Sequence, residues 1–197
     1  LRVELAQRLA VDVALWDQLG CLSPIEVFAV DRDASFANAL GEALAGSLAH
    51  AEKIWPRGSI DARAAHAVAQ QRAEAELRRA AGRRVSVYSS DSTAWTVVVE
   101  DAPAPRAAPL HRFVRVVPVR DVEQLLDALR PRGAQLAAVA IEGFGAQTRH
   151  VAHALARLGA SRICEPGALQ SPPLSWRRAG RGVLAPLARF SDIELPA

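Results

Sequence analysis

Cys21 is the residue of this chain whose type and setting best suit a nucleophile. It lies in the segment 16–24, WDQLGCLSP, between a predicted amphipathic helix ending at Gly20 and a predicted apolar strand over 25–30. A thiol held by backbone between a helix end and a strand start can face an open cleft, as a nucleophile must. A free cysteine taken alone, however, is commonly a small buried hydrophobe. The segment therefore leaves two interpretations, a presented nucleophile and a buried structural thiol.

The other residues of reactive type predict no second centre. Cys164 follows an apolar stretch and is predicted to be structural, and a disulfide with Cys21 is not favoured in a chain with two cysteines and no secretory signal. The glycine-containing stretches 142–145 and 180–182 lack the spacing of a dinucleotide-binding turn and predict ordinary turns. The histidines show no metal-ligand spacing, so no metal is expected. They are His50, His66, His111, His150 and His153.

Composition excludes several classes of protein. With 197 residues and 50% hydrophobic content the chain can bury one sizeable core, and it has no apolar run long enough to span a membrane. The net charge of +3 comes from a basic set in which Lys53 is the only lysine, and the arginines form no stripe with interleaved aromatics, so nucleic-acid binding is not favoured. We expect a reducing, cytoplasmic compartment. Because the chain has no methionine, we expect it to be a segment of a longer protein.

Apolar periodicity predicts that helices and strands alternate. Helices are expected over 2–19, 34–51 (with Asp33 as its cap), from 59 or 61 to 81, over 122–129 and over 148–158. Strands are expected over 25–30, 85–88 and 96–99 (as a hairpin), 113–119, 136–141, 162–164 and near 189–193. An irregular arm is expected over 165–182, followed by a short helix before the last strand. This succession predicts one α/β domain over 1–197, a mostly parallel sheet with helices on both faces.

Five short motifs, taken in order, resemble one family. They are CLSP at 21–24 with EVF at 26–28, WTVV at 95–98, HRFVRV at 111–116, LGASRIC at 158–164, and LAPLARF at 184–190. The chain resembles over nearly its whole length the acyl-CoA reductases of the LuxC-like type, which supply fatty aldehyde in bacterial luminescence and belong to the aldehyde dehydrogenase superfamily. The resemblance is to the C-terminal catalytic half, so the nucleotide-binding half is expected upstream and the segment alone is expected to be inactive.

The resemblance implies a fold and a chemistry. The fold would be the three-layer catalytic domain of the aldehyde dehydrogenase type. A thiolate at Cys21 would attack an acyl-CoA or acyl-carrier thioester, and hydride from NADPH, bound mainly by the other half, would release an aldehyde. A homo-oligomer is expected, with an acyl-activating or acyl-transferring protein as a candidate partner.

The resemblance also assigns roles to individual residues. His111 and Phe113 would contact the cofactor, and Trp95 and Trp176 would contact the substrate, with Trp16 and Phe28 as further candidates for an acyl tunnel or as ordinary core residues. Two positions depart from the family pattern. His111 stands where a glutamate is usual, and WRRAGR at 176–181 replaces a stretch that often contains His-Asp-Gly.

Two alternatives to the reductase remain at this point. One is a non-catalytic family member that binds an acyl carrier or a partner subunit, motivated by the altered stretch at 176–181. The other is a thiol acyltransferase that forms the thioester but passes the acyl group to an acceptor other than hydride.

Overall fold

A four-stranded sheet forms the centre of the protein in the computed structural model, which describes residues 2–31, 33–104, 106–182, 185–187 and 189. Its strands are β1 (Glu26–Val30), β2 (Ser86–Ser89), β3 (Thr96–Val99) and β4 (Phe113–Val119). The spatial order is β1-β4-β3-β2, with β1 and β3 parallel to β4 and β2 antiparallel to β3. The predicted hairpin and the mostly parallel α/β sheet are therefore confirmed. Every residue of β3 and β4 is buried, as expected for central parallel strands.

Five helices pack around this sheet. They are α1 (Arg2–Ala14), α2 (Ser35–Ile54), α3 (Ala62–Ala80), α4 (Val122–Leu129) and α5 (Thr148–Leu158). Helices α1 and α2 share a core with Val97 and Val99 of β3, whereas α3 packs against Val98, because successive residues of a strand point to opposite faces. Helices α4 and α5 form a second core with Val119 and with a short parallel pair, β5 (Val139–Ala140) and β6 (Ile163–Cys164).

Aspartates begin three of these helices. Asp61 accepts a hydrogen bond from Ala64 N at 2.7 Å, and Asp121 accepts one from Gln124 N at 2.8 Å, the usual geometry of a helix N-cap. For helix α2 the sequence predicts Asp33 as the cap, and the structure adds a second aspartate. Asp33 accepts from Ser35 N, but Asp31 accepts from Phe36 N at 2.5 Å and from Ala37 N at 3.3 Å. The helix start is thus held mainly from the end of β1.

The first helix is shorter than predicted. It ends at Ala14, and Leu15–Gln18 forms a 3₁₀ turn in which Trp16, Asp17 and Gln18 all adopt the left-handed conformation, with φ of 59°, 49° and 63°. The apolar periodicity of 2–19 continues through this turn, so the pattern gave no sign of the break. The break is stabilised by distant partners of Asp17 and Gln18, described below.

Two other segments differ from prediction. Strand β5 has two residues instead of the six predicted over 136–141. Before it, Arg130–Gln135 forms a 3₁₀ turn packed closely on α5, where an added Cβ at Gly133 would lie 2.4 Å from Leu158 O. The arm over 165–182 is not wholly irregular, since β7 (Arg177–Arg178) and β8 (Arg181–Gly182) form a small hairpin. Ala185–Leu187 is a 3₁₀ turn, and the strand predicted near 189–193 lies outside the described residues beyond 189.

Candidate active site

The predicted site residues gather at one edge of the sheet. Cys21 precedes β1, Trp95 precedes β3 and His111 precedes β4, and these three strands are adjacent and parallel. The loops before parallel strands meet at the same edge, here the amino edge. A hydrogen bond from Thr96 N to Arg112 O, at 2.9 Å, connects the start of β3 with the loop before β4. Ligands of open α/β sheets usually bind at the carboxyl ends of the strands, so this site is set on the less common side.

Cys21 is exposed and carries a free thiol. The structure thus favours the presented thiol over the buried one. The turn before it is tight, with Ser23 N donating to Gly20 O at 3.0 Å. An added Cβ at Gly20 would lie 3.3 Å from Trp16 Cδ1, which places the indole beside the turn. Trp16 and Leu19 are 70% and 60% exposed, so the turn that leads to the thiol carries two exposed apolar side chains.

Two left-handed segments hold the turn that presents Cys21. The first is 16–18, and the second is 110–112, immediately before β4. The buried guanidinium of Arg112 joins them, since it donates to Asp17 Oδ1 at 2.7 Å and to Glu52 Oε2 at 2.7 Å. Non-glycine residues in the left-handed region each cost of order 1–3 kcal/mol and persist only where surrounding contacts impose them. The Arg112 pairs are contacts of that kind.

Gln18 ties the same turn to the first residue of β4. Its side-chain Nε2 donates to Pro24 O at 2.7 Å and to Phe113 O at 3.1 Å. Gln18 is 2% exposed, and its Oε1 is buried without a hydrogen-bond partner among the residues the structure describes. The segment before the nucleophile is therefore fixed from both sides, to the strand that follows it and to the neighbouring strand.

The arm over 165–182 returns to Cys21 and places a cation beside it. Arg178, in β7, directs Nη2 toward Cys21 Sγ at 3.7 Å. The base of the arm is anchored nearby, since Gln170 Nε2 donates to Ser23 Oγ at 3.0 Å and to Asp12 O at 3.2 Å. The stretch in which the sequence departs from the family pattern thus supplies the closest charged group to the candidate nucleophile among the described contacts.

Asp12 holds the base of the arm from helix α1. Its carboxylate is fully buried and accepts hydrogen bonds from Gly167 N at 2.6 Å and Leu169 N at 2.9 Å. Burial raises the pKa of this carboxyl group above its usual range, against the lowering effect of those hydrogen bonds. Arg162 complements it by donating to the carbonyl oxygens of Ala168 and Leu169, each at 2.6 Å. Asp12 therefore accepts from backbone N–H groups at the base of the arm, and Arg162 donates to backbone carbonyl groups in the same segment.

The remaining predicted residues have different environments. His111 is half-buried, and its Nδ1 is buried without a hydrogen-bond partner in the described part of the chain. The ring of Phe113 is 1% exposed and lies in the core beneath the Arg115 guanidinium, 5.0 Å from the ring centroid. Trp95 is half-buried against the core shared by α1 and α2. Trp176, in the arm, is half-buried, and its Nε1 has no partner among the described residues.

The cysteine of β6 behaves differently from Cys21. Cys164 is half-buried and free, and burial raises the pKa of its thiol. This environment fits the predicted structural role, because the thiol form is neutral and tolerates a low dielectric.

The described residues hold no cluster of three or more potential metal ligands. In that same part of the chain, none of the helices has the length and apolar character needed to cross a membrane.

Sequence reasoning missed the residues that build the site around the thiol. Arg178 was noted only within the altered stretch 176–181. Asp12, Asp17, Gln18 and Arg112 were not singled out. An aspartate within an otherwise apolar helical face, as at Asp12, is a signal of a buried acceptor. The pairing of Arg112 with Asp17, 95 residues away, has no local signal.

Comparison with known proteins identifies a family for the chain. No curated protein matches the chain. The model of one family, described as acyl-CoA reductase (LuxC), matches residues 2–189 and so covers the turn that carries Cys21, the sheet and the arm. The chain, with its exposed thiol at the sheet edge, belongs to the acyl-CoA reductase (LuxC) family.

Proposed function

We propose that this chain carries the acyl-transfer centre of an NADPH-dependent reductase of fatty acyl thioesters, with Cys21 as the nucleophile. Family membership implies an acyl thioester substrate. The observation that carries the residue assignment is the exposed thiol of Cys21 in a turn fixed by Arg112 and Gln18, with Arg178 at 3.7 Å. The proposal includes the three-layer catalytic fold of the aldehyde dehydrogenase type, with which the observed sheet and helices are compatible.

The first step is acyl transfer to sulfur. The Cys21 thiolate, its proton having passed to solvent, attacks the thioester carbon, and the carbonyl π electrons move to oxygen. Collapse of that oxyanion expels coenzyme A, or the carrier thiol, as a thiolate that takes a proton from water. The product is a thioester on Cys21, and no net oxidation or reduction has occurred.

The second step releases aldehyde. NADPH, when bound, supplies a hydride to the acyl carbon, which restores the Cys21 thiolate. His111 fits the cofactor because its buried Nδ1 lacks a partner among the described residues, and an unsatisfied buried nitrogen of this kind can be paired by a ligand. The Phe113 ring faces the core, so we assign it a supporting role behind His111.

The apolar residues around the thiol suit an acyl chain. Trp16 and Leu19 lie in the turn just before Cys21 and are largely exposed, and we assign them the role of covering the acyl-enzyme and excluding water, which would hydrolyse it. Trp176 lies two residues before Arg178 and remains our candidate on the arm side. Trp95 remains a candidate from its place before β3, although its contacts are with the core.

We keep the predictions of a cytoplasmic homo-oligomer and of an acyl-activating or acyl-transferring partner.

Product analysis with the complete protein tests this proposal. We expect the protein to form aldehyde from a long-chain acyl-CoA and NADPH. Cys21→Ala should abolish aldehyde formation, and Cys164→Ala, which removes the other thiol, should leave aldehyde formation unchanged. Free acid, ester or amide in place of aldehyde would favour the acyltransferase alternative. The absence of any product, with Cys21→Ala behaving like the unsubstituted protein, would favour a non-catalytic binding role.

A further inference from the structure

The hairpin of the arm carries two arginines toward the nucleophile. In the register of β7 and β8, Arg178 lies opposite Arg181, so both side chains extend from the same face, whereas Arg177 extends from the other. The two turn residues, Ala179 and Gly180, both have positive φ, of 49° and 78°. This is the turn geometry that matches the twist of a two-residue hairpin, so the register that aims Arg178 is fixed by the turn itself.

This arginine pair is not neutralised by the residues the structure describes. Like charges directly opposite each other on adjacent strands are destabilising. No described carboxylate pairs with Arg178 or Arg181, and the single described contact of Arg178 is the Cys21 sulfur. Among the residues described, the face of the hairpin toward Cys21 therefore carries positive charge without a paired carboxylate, which suits an anion that forms there.

From this geometry we infer that Arg178 is a catalytic residue that donates a hydrogen bond to the oxyanion formed when Cys21 attacks the thioester, an inference that rests on the proposed function. The acyl carbon bonds to Sγ, and its oxygen is the next atom, so the oxyanion develops two bonds from the sulfur. A guanidinium nitrogen 3.7 Å from Sγ is within one hydrogen-bond length of that position. Effective oxyanion donors lie about 2.7–3.1 Å from the oxyanion.

The same distance argues against a role for Arg178 in reading the phosphates of coenzyme A. The pantetheine arm separates those phosphates from the thioester carbon by many bonds, so a guanidinium in contact with Sγ cannot reach them during attack. A flat guanidinium has five N–H donors and can pass from the sulfur to the oxygen with a small movement. Arg178 thus acts on the reacting atoms, in the stretch where the family pattern is replaced.

Acylation kinetics with two thioesters test this inference. The complete protein is mixed with an acyl-CoA or with the matching S-acyl N-acetylcysteamine, which has no phosphate, and the mass of acylated Cys21 is followed over time. We expect Arg178→Ala to slow acylation by at least about tenfold with both thioesters, since loss of one oxyanion donor commonly costs about a hundredfold and solvent replaces part of an exposed one. Arg178→Lys restores part of the rate, and Arg177→Ala, on the other face, changes it by less than about twofold.

A second readout isolates the oxyanion. Alkylation of Cys21 by iodoacetamide uses the same sulfur but forms no oxyanion, so Arg178→Ala is expected to slow alkylation much less than acylation. The inference is overturned if Arg178→Ala acylates at the normal rate, if the loss appears only with acyl-CoA, or if alkylation slows as much as acylation. Those results would overturn the inference alone. If the unsubstituted protein is never acylated, the proposed function fails as well.

Discussion

Asp12 is a buried carboxyl group whose ionisation opposes folding. Burial is the largest influence on it and raises its pKa above the ordinary value of 3.8, while backbone hydrogen bonds from Gly167 and Leu169 offset part of the rise. The folded chain therefore binds a proton at Asp12 more tightly than the unfolded chain. It follows that this group's contribution to stability is fully present below pH 3.8 and is lost as the pH rises through the folded-state pKa.

We predict that Asp12→Asn removes this pH dependence. Asparagine has one acceptor oxygen and so loses one of the two backbone hydrogen bonds, which makes the variant less stable than the unsubstituted protein at about pH 4, by roughly 1 kcal/mol. The deficit should shrink as the pH rises, because only the unsubstituted protein then carries the buried charge. Urea unfolding of both proteins between about pH 4 and pH 7 measures it. A deficit that grows with pH would show that the carboxylate form is favoured on folding.

Arg112 is a buried cation that joins the two left-handed segments near Cys21. It is 3% exposed at its side chain, whereas Asp17 and Glu52 are 24% and 27% exposed. We predict that Arg112→Met lowers the free energy of unfolding by roughly 2 kcal/mol, below the usual cost of breaking a fully buried pair because solvent screens both carboxylates. Arg130→Met is the matched control, since the exposed Arg130–Asp127 pair should contribute less than about 0.5 kcal/mol. Equal losses for the two variants would refute the prediction.

Helix α2 lies unusually close to the sheet at one point. An added Cβ at Gly41 would lie 2.2 Å from Val99 Cγ2, in the fully buried middle of the core, whereas an added Cβ at Gly46 would meet nothing within 4 Å. We predict that Gly41→Ala destabilises the protein by about 1–3 kcal/mol through overpacking. Gly46→Ala should stabilise it by about 0.5–1 kcal/mol, since alanine is the better helix former. Chemical denaturation of the pair checks the opposite signs, and a shared sign would contradict the packing described.

The elements that the sequence predicted well have a continuous local pattern. Strand β4 and helices α4 and α5 have the predicted bounds because their apolar runs or repeats are closed by residues such as Asp121 and Gly159. The break at Ala14 was not predictable, because it depends on Arg112 and Phe113, which are distant in sequence. The β7–β8 hairpin was missed for a different reason. Its strands have two exposed residues each and so carry no apolar alternation.

For the molecule as a whole, the sheet order brings the candidate site together. Since β1, β4 and β3 are adjacent and parallel, the loops that carry Cys21, His111 and Trp95 meet at one edge. The motif order in the sequence pointed to Cys21, His111 and Trp95 as candidate site residues, but it did not place the arm. That placement depends on Asp12 and Gln170, which fold the arm back over the turn before β1.

Intact-mass analysis of the complete protein tests the central claim most directly. The protein is incubated with a long-chain acyl-CoA, with and without NADPH, beside Cys21→Ala. The account predicts an acyl adduct on Cys21 that persists without NADPH, disappears when NADPH is added as aldehyde accumulates in equal amount, and never forms in Cys21→Ala. An adduct on another residue, or none under any condition, would contradict the assignment of Cys21 as the nucleophile of an acyl thioester reductase.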